Sequence, residues 1–176
     1  LVYGAAPVSL VGSSDSGLAV SFEVLEGPGK IEGGKFVGTG AGLVKLRASQ
    51  AGNDEYAAAE KSFEVLVGQG SQVITWTDVP SKSHGDGPFY VSASSSSGLS
   101  VSYEVMSGPA TIAGAKVTLT GGGTVVLRAS QAGNDNLKGA EALKSIVVSK
   151  VAQAITFGYM PAREFTTDPI KLEASA

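Results

Sequence analysis

The chain repeats itself with a period of 81 residues, and no other feature narrows its possible folds as much. Ser16-Gly-Leu-Ala-Val-Ser-Phe-Glu-Val24 recurs as Ser97-Gly-Leu-Ser-Val-Ser-Tyr-Glu-Val105. Leu46-Arg-Ala-Ser-Gln-Ala-Gly-Asn-Asp54 recurs unchanged as Leu127-Arg-Ala-Ser-Gln-Ala-Gly-Asn-Asp135. Both offsets are 81, and no gap is needed: Gln72-Val-Ile-Thr-Trp76 falls on Gln153-Ala-Ile-Thr-Phe157. Roughly half of positions 16–76 are identical at this shift. The ends keep the same beat, because Tyr3-Gly-Ala-Ala-Pro7 matches His84-Gly-Asp-Gly-Pro88, then Phe165-Thr-Thr-Asp-Pro169, and Pro80 matches Pro161. A repeat of this kind is one folding unit that meets its neighbours in sequence order. The 176 residues thus divide into a first repeat, 1–71, without its first strand; a complete second repeat, 72–152; and the first strands of a third, 153–176. The chain reads as a window on a longer array.

Within a repeat the apolar period is two. Val101, Tyr103 and Val105 alternate with Ser100, Ser102 and Glu104, and Val125, Leu127 and Ala129 alternate with Val126, Arg128 and Ser130. Such alternation belongs to strands with one face inward and one in water. Turn chemistry separates them at Ser97-Gly98, Gly108-Pro109, Ala113-Gly-Ala115, Gly121-Gly-Gly123 and Ala132-Gly-Asn134. The pattern predicts about seven strands per repeat, near 72–76, 89–93, 101–106, 110–112, 116–120, 124–131 and 142–149. Only Ala57–Lys61 and Gly139–Leu143 look briefly helical. Seven short strands in such a unit predict an all-β protein of tandem immunoglobulin-like sandwiches.

Composition removes whole classes of function. With 13 Lys+Arg against 16 Asp+Glu, the net charge of −3 offers no basic stripe for nucleic acid. No cysteine and a single histidine leave no thiolate or histidine-rich metal centre and no disulfide framework. No apolar run is long enough to span a membrane. Glycine, at 24 residues, is about twice as common as usual, and it collects at the turns.

The motifs resemble the glycine-rich, immunoglobulin-like tandem repeats of large bacterial secreted and cell-surface proteins. The resemblance rests on Tyr3–Pro7, on Ser16–Phe22 and Ser97–Tyr103, on Gly108–Ala110, on Gly40–Gly42 and Gly121–Gly123, and on Ala48–Asn53 and Ala129–Asn134. It implies an extracellular, non-enzymatic module that spaces, stiffens or displays, with no cofactor and with neighbouring repeats as its partners. It departs from the pattern at Gly29, where the second repeat has Ala110, and at His84 and Phe165, which replace Tyr3.

Individual residues carry narrower expectations. Gly29-Lys-Ile-Glu-Gly-Gly34-Lys35 has phosphate-loop spacing, but Phe36 stands where the magnesium-binding hydroxyl belongs, and no helix follows. His84 has no serine and acid arranged around it. Asp54 and Asp135, with Asp78, could offer oxygen ligands to calcium at the first junction. The competing expectation is that Gly52-Asn53 and Gly133-Asn134 form turns whose side chains take backbone donors. Gly27-Pro28 and Gly108-Pro109 read as structural turns. Glu23 with Arg47, and Glu104 with Arg128, read as cross-strand ion pairs. Trp76, Tyr90 and Tyr103 could stack on sugar, although Phe157 and Phe22 in register suggest packing instead. Lys45 and Lys61 could form isopeptide bonds, but Val126 and Ala142 replace them in the second repeat.

The first junction, Val67-Gly-Gln-Gly-Ser-Gln72, carries two glycines and is expected to bend; the second, Val148-Ser-Lys-Val-Ala-Gln153, is expected to be stiffer. Gly27-Pro28 and Gly40–Gly42 should face Ser94–Gly98 and Ala113–Ala115 across the first. Two functions follow from the sequence: a structural stalk, spacer or fibre segment, assembling end to end or by strand addition, or an adhesin-type module recognising glycan or protein through its loops.

Overall fold

The computed structural model describes residues 1–159, 171, 174 and 175. Pro161, Phe165 and Pro169, which the period aligns with earlier positions, lie outside the described residues. Every element described is a strand, as the two-residue alternation requires. In the first repeat these are β1 (Val8–Ser9), β2 (Ser21–Glu26), β3 (Gly29–Glu32), β4 (Lys35–Gly38), β5 (Gly42–Gln50) and β6 (Ala59–Val67). The second holds β7 (Ile74–Trp76), β8 (Lys82–Ser83), β9 (Phe89–Tyr90), β10 (Ala93–Ser95), β11 (Ser102–Ser107), β12 (Ala110–Ala113), β13 (Lys116–Leu119), β14 (Gly123–Gly133) and β15 (Lys138–Ser149). Two short strands follow, β16 (Thr156–Phe157) and β17 (Ala174–Ser175).

In the second repeat one sheet has the order β11-β14-β15-β8, and facing it lie β12-β13-β9 and the ribbon β10-β7. In the first repeat the sheets are β2-β5-β6 and β1-β4-β3. Inward residues of facing sheets meet in two separate cores. Phe36, Val44, Leu46 and Val67 form one. Val91, Val117, Val125, Leu127, Ile146 and Val148 form the other. Burial of apolar faces contributes most of the stability, roughly 25 cal/mol per Å² removed from water.

Gly27 and Gly108 show why the turn chemistry recurs. Each follows a register shift at the end of its strand, between Val24 and Glu26 or between Val105 and Ser107. Their φ angles are +92° and +98°, and a Cβ would sit 2.2 Å from the carbonyl oxygen of Leu43 or Thr124. Only glycine fits. The prolines that follow accept hydrogen bonds from Thr39 N and Thr120 N at 3.0 and 2.9 Å, which fastens the next hairpin.

Two expectations are corrected, and one strand is present that the pattern does not predict. The segments expected to be briefly helical are extended: β15 begins at Lys138, and Ala142 lies opposite Ala129 in the ladder. Cross-strand pairing along the whole of β14 overrides the weak helical preference of alanine. Residues 89–93 do not make one strand. The chain breaks after Tyr90, so that β9 pairs β13 while β10 pairs β7. Finally, Lys82–Ser83 adds a short parallel strand beside Val148–Ser149, and His84 N donates to Ser149 O at 2.8 Å. Val2 bridges Gly68 in the same parallel sense.

Candidate functional site at the repeat junction

The residues singled out by the sequence fall into three arrangements, and only one of them joins the two repeats. The first is a pair of surface ion networks. Glu23 lies opposite Arg47 in register, and Glu104 opposite Arg128. Arg47 donates to Glu23 through Nε and Nη2, and to Glu60 through Nη1 at 3.0 Å. Arg128 reaches Glu104 through Nη2 at 2.5 Å and Glu141 through Nη1 at 3.4 Å. Hydrogen bonding to the first glutamate, reinforced by its charge, raises each guanidinium above its already high ordinary value. Glu60 and Glu141 were not singled out in the sequence, although they too recur at the period. Each network ties three strands at an exposed face, where such pairs contribute little individually.

The second arrangement is the loop containing Asp54 or Asp135. Asn53 Oδ1 accepts from Glu55 N and Tyr56 N at 2.9 and 2.8 Å, and Asn134 Oδ1 accepts from Asn136 N and Leu137 N at 2.9 Å each. Gly52 and Gly133 precede them at φ +78° and +84°. These asparagines use their side chains to close turns. Asp78 does not join Asp135. It pairs with Lys144 Nζ at 2.9 Å, and that hydrogen bond, with the lysine's charge, holds its carboxyl below the usual range. Among the described residues no three acidic, histidine or cysteine side chains converge as a metal site would require.

The third arrangement is the junction. Gly70 sits in a parallel bridge to Leu137: its N–H donates to Asn136 O, and its carbonyl accepts from Lys138 N, both at 2.9 Å. On its other side a Cβ at Gly70 would lie 2.5 Å from Tyr3 O, so the linker threads between the two repeats. Gln69 Nε2 donates to Asn134 O at 2.9 Å and Asp135 O at 3.3 Å. Asn136 Oδ1 accepts from Ala41 N of the first repeat at 2.8 Å. Gln72 completes the seal. Its amide donates to Lys138 O at 2.8 Å and to Gln131, and accepts from the Ser95 and Ser97 hydroxyls at 2.6 Å each.

Two expectations change here. The two linker glycines are not free positions: Gly68 bridges Val2, and Gly70 is buried and bonded along one edge to Asn136–Lys138, its missing side chain allowing close approach to Tyr3 on the other. The turn facing Gly40–Gly42 is Asn134–Leu137, not Ser94–Gly98 or Ala113–Ala115. The available signal was Asn136 itself, the first position at which this otherwise identical loop departs from its counterpart, Glu55.

Gly29–Lys35 is a hairpin turning at Gly33-Gly34 between β3 and β4. His84 is exposed in a turn. Trp76 and Tyr103 pack at a centroid distance of 5.6 Å, while Tyr90 is exposed, so the three do not form one platform. Lys45 and Lys61 are exposed on their strands. No helix of the described residues is long and apolar enough to cross a membrane. Set against models of known protein families and against curated proteins, the chain matches none.

Proposed function

We propose that this chain is a non-catalytic structural segment of a large extracellular surface protein or fibre, in which tandem immunoglobulin-like sandwiches act as a stalk or spacer. The strand order supports the immunoglobulin-like reading, because the entering strand divides between the two sheets and its second part pairs in parallel with the last strand. The junction carries the functional reading. A spacer must transmit direction from one unit to the next, and the Gln69–Gln72 linker is bonded to the turn of the second repeat and held against the first. Short, satisfied connections of this kind resist bending more than a free glycine linker does.

Small-angle scattering on the dilute chain tests the reading. With each repeat on the order of 40 Å long, as strands of this length imply, two stiffly joined repeats give a maximum dimension of about 80 Å. Gly70→Ala, which drives a methyl group into Tyr3 O, should broaden the distance distribution. A broad distribution in the unaltered chain would overturn the stiff-spacer reading. Specific retention of the chain on a glycan array would favour the adhesin alternative.

A further inference from the structure

The outward face of the β11-β14-β15 sheet in the complete second repeat has a hollow end and a raised end. At the hollow end Ser102 lies opposite Ser130, and Ser130 opposite Glu141. With Ala132 and Gly139 beyond them, these small side chains leave a groove of about 580 Å³. The middle row is Glu104, Arg128 and Leu143, in register across the three strands. At the raised end Val126 lies opposite Ser145 and Thr124 opposite Val147, and Met106 stands beside Val126 at the register shift. Leu143 is 62% exposed, Val147 68% and Met106 50%, so large apolar side chains project into water there.

We propose that this face pairs with the same face of a second copy of the chain, side by side. The twofold axis lies between the two sheets and crosses the strands at the row of Glu104, Arg128 and Leu143. Such an axis lays the raised end of each copy over the hollow end of the other, strand upon strand. Val126 meets the partner's Ser130, Met106 meets the partner's Ser102, and Val147 enters the hollow at the partner's Gly139. Leu143 meets its own counterpart at the axis. A twofold interface requires this reciprocity, because every contact of one residue with another is made twice. Sheets packed face to face stand about 10 Å apart, and large side chains then need small ones opposite. The two Glu104–Arg128–Glu141 networks lie alongside, so each guanidinium has the partner's carboxylates near it as well as its own.

The first repeat shows the same face built against pairing. Its hollow end is unchanged, with Ser21, Ser49 and Glu60, and holds a groove of about 390 Å³. Its raised end carries Lys45 opposite Glu64, where the second repeat has Val126 opposite Ser145. Under the same axis Glu64 would face the partner's Glu60, and Lys45 would lose its water over the partner's Ser49, so charge opposes the contact. In the second repeat Ser145 faces the partner's Glu141 instead, a hydroxyl donor against a carboxylate. Both charged residues have become neutral on one face and in register, and this selects the second repeat of another copy as the occupant. Three strands of this length present roughly 500 Å² per copy, and about 1,000 Å² for the pair belongs to weak, reversible interfaces.

Sedimentation of the full chain over a wide concentration range tests this. The weight-average mass should rise from 17.7 kDa toward twice that value and stop, because a twofold interface closes on itself. Leu143→Glu sets two carboxylates against each other at the axis and should weaken pairing by more than about tenfold. Val126→Glu and Ser130→Lys should each weaken it by roughly tenfold, and both in one chain should restore most of it, as coupled residues do. All three positions lie on the outward face, and circular dichroism checks that each variant is folded. A monomer at every concentration, growth past the dimer, pairing that survives Leu143→Glu, or no restoration in the double variant would each overturn the proposal. Scattering from the dilute chain reads the monomer, so a flexible junction and a failed pairing are separate results.

Discussion

The two repeats share Leu-Arg-Ala-Ser-Gln-Ala-Gly-Asn-Asp residue for residue, yet the same alanine has two environments. Ala129 is fully buried, with the ribbon of β7 and β10 across it, while Ala48 is half-buried at the edge of an open groove. Ile146 and Val65 differ in the same direction. The segment Gly12–Ser14 forms no strand, although its counterpart Ala93–Ser95 is β10. Local sequence is therefore insufficient to make this edge a strand; it needs the ladder partner that Ile74–Trp76 supplies. Burial here belongs to the pairing, not to the motif.

The largest test of that difference is a charge at the shared alanine. Ala129→Asp should cost the second repeat about 3 kcal/mol or more, since a buried unpaired carboxylate has no partner. Ala48→Asp should change the first repeat by less than about 1 kcal/mol, and urea unfolding of both variants measures the gap. Next come changes expected to erase the difference. Gly27→Ala and Gly108→Ala both force a methyl onto a carbonyl at positive φ and should destabilise either repeat by about 1–3 kcal/mol. A large inequality would mean that the two turns are not equivalent. Trp76→Phe makes the second repeat resemble the third, removes the bond to Ala142 O, and should cost about 1 kcal/mol in the same assay.

The smallest effect concerns pH. Because Lys144 lowers the Asp78 pKa in the folded chain, the folded state binds fewer protons than the unfolded state between the two values. Stability from this pair is complete above the unfolded carboxyl pKa and is lost as pH falls through the lower, folded one. Asp78→Asn should flatten that acid dependence. The first repeat has Phe63 in place of Lys144, so its acid dependence should not contain this step.

Much of the local structure was legible because its causes are local. The two-residue alternation around Leu127 marks an inward face, and Gly108-Pro109 marks a turn that tolerates no side chain. Glu104 and Arg128 stand on outward positions of the third and sixth strands, which are neighbours in the expected sandwich. What could not be read depends on neighbours distant in sequence. The break after Tyr90 follows from β9 and β10 having partners in different ladders. The parallel pairing of Lys82–Ser83 has no side-chain signature, since it is made by backbone groups. Gly139–Leu143 resembles a helical turn until Ala129 and its neighbours take its hydrogen bonds. Gly70 looked like freedom because a sequence does not show Tyr3 on one side and Leu137 on the other.

The short parallel pairings have a mechanical consequence. Lys82–Ser83 enters the second repeat alongside Val148–Ser149, which leaves it, and both run in the same direction. Val2 and Gly68 stand in the same relation in the first repeat. A pull on the two ends of the chain draws these neighbours past one another, so their hydrogen bonds are sheared together instead of opened one at a time. Each repeat thus places a sheared pairing between the segment by which the chain enters and the one by which it leaves.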